Sequence, residues 1–93
     1  MNLYLLSQES NNDCDTYDSC IVAAETEEEA RLTHPNDYYI YRDWLLFSLT
    51  DSGEEFEAIN YSWVNPDKVK VKLIGKATEG TKKWVILSSY NAG

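Results

Sequence analysis

The stretch SCIVAAETEEEARLTHP, from Ser19 to Pro35, decides the fold. Cys20-Ile21-Val22-Ala23-Ala24 is apolar and partly β-branched, the composition of a buried strand. Thr26 and Glu29 then form a T-x-x-E capping box, in which side chains satisfy the first unpaired N–H groups of a helix. Glu27, Glu28 and Glu29 lie at the positive end of that helix's dipole, and Arg31 and His34 lie toward its negative end. Pro35 ends it, because the residue before a proline is pushed out of the α region. A strand, a tight turn and a short helix are therefore specified locally. A helix this short is marginal alone, so Ala30 and Leu32 must pack against a sheet.

Working outward, Asn2-Leu-Tyr-Leu-Leu-Ser-Gln8 reads as a first strand, antiparallel to the strand at 19–25. The polar stretch ESNNDCDTYD, residues 9–18, is the loop between them. Tyr38-Tyr39-Ile40-Tyr41 and Trp44–Leu49 are aromatic and strand-like, and Thr50-Asp51-Ser52-Gly53 is a turn signal. Residues 55–61 fold back as the second half of a hairpin, with a helix over 54–61 as the competing reading. Lys68-Val69-Lys70-Val71-Lys72-Leu73 alternates strictly, placing Val69, Val71 and Leu73 inward and the lysines outward. Lys83–Ser89 is the closing strand. The expectation is one α+β domain spanning 1–93: an antiparallel sheet of about four to six strands, with one short helix on one face.

Charge narrows the function. Sixteen acids against eight bases give a net −8, and the signs are segregated. Residues 1–67 hold fifteen acids and two bases, whereas residues 68–93 hold one acid and six lysines. So acidic a chain repels nucleic acid over most of its surface and favours basic partners. No apolar run approaches the roughly 20 residues of a membrane span. The start, MNLYLLSQES, lacks the basic and long apolar regions of a secretory signal, so a cytoplasmic location is expected.

Catalytic patterns are missing from the sequence. His34 stands alone, with no G-x-S-x-G and no phosphate-cradling glycine loop, and is expected to be a capping or surface residue. Cys14 and Cys20 are five residues apart, fit no zinc pattern, and read as a loop thiol and a core thiol. The carboxylates of 11–18 are oxygen-rich but lack the glycine and terminal glutamate of a calcium loop. No enzyme activity, cofactor or metal is expected. Lys68, Lys70 and Lys72 could contact phosphate or an acidic protein, but lysines on a strand also deter edge-to-edge aggregation.

The aromatic segment 38–63 is the best candidate for a partner surface, because interfaces favour Tyr and Trp anchors. Glu27, Glu28, Asp51, Glu54, Glu55 and Glu57 are expected to steer a partner, and Tyr39, Trp44 and Phe56 to anchor it. With YLLSQ, NNDCDTYDSCIVAAETEEEARLTHP, WVNPDKVKVKLIGKA and VILSSYNAG, the chain resembles a family of short bacterial and phage hypothetical proteins. That resemblance brings no activity or catalytic residue with it. The V-A-A-E-T-x-E-E-A turn is also similar to small phage proteins, some of them anti-CRISPR inhibitors. Together these imply a non-enzymatic binding protein of phage or mobile-element type that occupies a basic surface of a larger host or defence protein. The competing expectations are a nucleic-acid-associated domain using the Lys68–Lys83 side, a small enzyme or ligand-binding protein, and a homodimer through the aromatic hairpin.

Overall fold

The computed structural model describes residues 1–11, 15–60 and 62–91. The strand–turn–helix unit forms, with its strand starting at Thr16, inside the stretch 9–18 expected to be loop. Strands β1 (Asn2–Ser7) and β2 (Thr16–Ala24) pair antiparallel from Asn2 with Ala24 to Ser7 with Ser19. Helix α1 covers Glu27–Arg31. Thr26 Oγ1 accepts the Glu29 N–H at 3.1 Å, and the Glu29 carboxylate accepts the N–H of Glu25 at 3.2 Å. The return bond thus reaches one residue further back than an ideal capping box. Arg31 does more than complement the dipole: its Nη1 donates to the carbonyls of Pro66 and Val69.

The remaining elements are β3 (Tyr39–Arg42), β4 (Leu45–Leu49), β5 (Glu55–Glu57), a 3₁₀ turn at Pro66–Lys68, β6 (Lys70–Lys76) and β7 (Trp84–Asn91). They divide into two antiparallel sheets, where the sequence suggested a single one. The first has the order β6-β1-β2-β7, and the second has the order β3-β4-β5. The hairpin about Asp51–Gly53 is present, and 55–57 is strand rather than helix. Within the second sheet, Asp43 and Trp44 close β3 onto β4 in a two-residue loop that propensity does not announce. Although β6 and β7 are consecutive, they occupy opposite edges, and residues 77–83 cross the ends of β1 and β2 between them.

The core lies on one face of the four-stranded sheet. Tyr4, Leu6, Cys20, Val22 and Ala24 meet Ala30 from the helix and Trp63, Val64 and Val69 from the segment after the second sheet. Val69 is buried and Val71 half-buried as the alternation requires, but Leu73 is exposed. Leu73 pairs with Tyr4 at the end of the regular register, which shifts between Leu3 and Tyr4 just beyond it. Cys20 is a free, buried thiol whose pKa burial pushes up to about 12, so it is chemically quiet. Cys14 lies outside the described residues, as do Asn12 and Asp13 of the candidate cation loop at 11–18. No helix among the described residues is long and apolar enough to cross a membrane.

Candidate functional site: a tryptophan-tipped hairpin

The second sheet is joined to the first by a buried polar network centred on His34. This histidine is 3% exposed, against the expectation of a surface or capping residue. The Asn36 N–H donates to Nδ1 at 2.9 Å, so Nε2 carries the ring hydrogen and faces Asn60 Oδ1 at 3.3 Å. Asn60 Nδ2 donates to the Tyr41 hydroxyl at 3.0 Å and to the Val64 carbonyl at 2.8 Å. Tyr41 donates to that same carbonyl at 3.2 Å. Tyr39 stacks at a tilt on the imidazole, with centroids 4.8 Å apart. Burial lowers the His34 pKa from 6.5 to about 4, against smaller opposing effects of its hydrogen bonds. The imidazole, hydrogen-bonded at both nitrogens, ties the segment after α1 to Asn60.

The network holds Tyr41, two residues before the β3–β4 turn. In that turn, Asp43 and Trp44 have φ of 50° and 68°, the positive pair that a type I′ turn demands. Asparagine and glycine adopt this backbone readily; an indole-bearing residue does so at a cost of about 1–2 kcal/mol. Trp44 is nevertheless held there, 49% exposed, with Leu45 beside it 54% exposed. Behind the tip runs a groove of about 420 Å³ whose walls include Trp44, Leu45, Ile59 and Pro66, with Glu57 and Asp67 on its rim. Both rim carboxylates are exposed.

The structure separates the other expected contact residues. Asp51 and Glu54 sit at the opposite turn, between β4 and β5. Glu55 is held by Arg42 through two hydrogen bonds of 3.0 and 3.2 Å, which keep its carboxyl below the usual range. Phe56 is 54% exposed but lies opposite Ser48, on the other face of the sheet from Glu55 and Glu57. Tyr39 is half-buried on His34, and Glu27 and Glu28 belong to the helix. Of the nine, Trp44 and Glu57 share the groove. Lys68 lies in the 3₁₀ turn, while Lys70 and Lys72 project from β6, and Lys70 pairs with Glu9 at 3.2 Å.

No protein-family model matches the chain, and neither a curated protein nor a solved structure matches it. The site therefore stands on its own geometry. A second cleft of about 280 Å³ lies between α1, β3 and the start of β7, with His34, Tyr39, Arg42, Lys83 and Trp84 in its walls. Its two cations are already engaged, Arg42 by Glu55 and Lys83 by Glu29 at 3.5 Å. Ile59, Pro66 and Asp67 escaped the sequence reading; a lone isoleucine between Ala58 and Asn60 was the only signal for the first of them.

Proposed function

We propose that this chain is a non-enzymatic binding module that seats Trp44 and its carboxylate-rimmed groove on a basic surface of a larger protein. The observation that carries the reading is Trp44 itself. A bulky side chain in left-handed backbone, half out of water at a hairpin tip, contributes little to folding that a smaller residue would not. Exposed tryptophans are common energetic centres of interfaces, and the mixed polar and apolar groove beside this one accepts a side chain in return. Glu57 and Asp67 favour a partner segment carrying Lys or Arg next to an apolar anchor. The net −8 of the chain steers such a segment toward it over longer range. In its most specific form, the module inhibits a host or defence protein by covering a basic functional surface.

The test is selection from a randomised peptide library displayed against the whole chain. Enrichment of sequences that join Lys or Arg to an aromatic or aliphatic residue, with binding lost in Trp44→Ala, is the expected result. A library that returns no enriched motif, or peptides that bind Trp44→Ala equally well, overturns the reading.

A further inference from the structure

The two edges of the four-stranded sheet are unlike. One edge, β6, carries Lys70, Lys72 and Lys76, which discourage another strand from pairing there. The other edge, β7, reads Trp84-Val-Ile-Leu-Ser-Ser-Tyr-Asn91 and has no charged residue along its length. Among the described residues β7 pairs only with β2, so its outer row of backbone groups has no strand beside it. Its side chains are exposed as well: Trp84, Ile86, Leu87 and Tyr90 range from 43% to 64%. On the face away from the core, Leu5, Ile21 and Leu87 align in one apolar row across the sheet. Eight uncharged residues at an uncovered edge are a template for strand addition.

Charge at the two ends of β7 selects the occupant. Lys82 precedes the strand together with Lys83, the latter paired with Glu29, while Asp15 lies beside the Tyr90 hydroxyl at its far end, with Asp18 close by on β2. An antiparallel second copy sets the lysine end of each protomer against the aspartate end of its partner, twice over. A parallel copy would set lysines against lysines. Pairing β7 with another copy's β6 would leave both outer edges open and give an endless filament, whereas β7 on β7 closes with two-fold symmetry. We propose that two copies of this chain pair antiparallel along β7, joining their four-stranded sheets into one eight-stranded sheet. The two-fold axis runs through the sheet near Leu87, at the middle of the strand, next to the bulged residue Ile86. This surface is on the other sheet from the Trp44 groove, so each copy of the dimer presents its own groove.

Sedimentation analysis of the whole chain over a wide concentration range tests this. A mass of twice 10.7 kDa is expected, returning to one chain mass in the double variant Ile86→Lys, Leu87→Lys. Both positions are exposed, and an unchanged circular dichroism spectrum shows that the variant still folds. Leu73→Lys, on the guarded edge, and Trp44→Ala should both remain dimers, and amide exchange along β7 should slow as the dimer fills. A monomer at every concentration, a filament, or a dimer that survives the double variant overturns the proposal without touching the Trp44 reading.

Discussion

His34 is the residue through which acid acts on this molecule. Its pKa is about 4 in the folded chain and 6.5 when exposed, so the unfolded state binds more protons between those values. Stability therefore rises with pH across that window: it is complete above 6.5, falls as the solution is acidified, and has lost His34's share by pH 4. A shift of this size corresponds to roughly 3 kcal/mol. The chain has one histidine, so uptake of close to one proton on unfolding near pH 5.5, measured from the pH dependence of urea unfolding, belongs to it. Glu55 acts in a lower window, because Arg42 holds its carboxyl below its usual value and that contribution is lost only as the carboxyl protonates. A flat stability profile between pH 4.5 and 6.5 would mean that the imidazole is hydrated in solution. None of this was legible from sequence. His34 lies 26 positions from Asn60, and no local pattern announces a hydrogen bond across that separation.

The elements divide by how local their instructions are. The pairing of β1 with β2 and the capped helix were readable because strand composition, capping box and proline lie within seventeen consecutive residues. Lys68–Leu73 read as a strand for its alternation; the strand starts only at Lys70, because Pro66–Lys68 forms a 3₁₀ turn, and its place at the far edge from β7 depends on which strands add to β1 and β2. The two turns of the second sheet show the same division. Gly53, with φ of 87°, is the residue its turn requires, whereas Trp44 is not. Substitutions at the two should behave oppositely. Gly53→Ala imposes about 1–2 kcal/mol of left-handed strain with nothing to offset it. Trp44→Gly relieves that strain while losing the contacts of a half-exposed indole, so its thermal stability should change by less than about 1 kcal/mol. Calorimetry of both variants measures the contrast; a large loss in Trp44→Gly would make the tip part of the folding core rather than a presented side chain.

At the scale of the whole molecule, salt separates folding from binding. The chain carries net −8, and most of its acids precede its lysines in sequence. Folding brings a few of the two groups together, as in Lys70 with Glu9 and Lys83 with Glu29, but these pairs are exposed and each contributes about 0–1 kcal/mol at most. Repulsion among the remaining carboxylates outweighs them, so screening it should stabilise the fold. Raising sodium chloride from about 10 to 150 mM shortens the Debye length from roughly 30 to 8 Å. The melting temperature should rise over that range, while a basic peptide seated at Trp44 should bind more weakly as its steering is screened. The opposed signs matter, because a peptide that merely recognised partly unfolded chains would track stability inversely without needing its lysines. Replacing those lysines by glutamine in the peptide removes the salt dependence if attraction is the cause. A melting temperature that falls with salt would instead show that the lysine–carboxylate pairs, not the surplus of acids, govern the folded state.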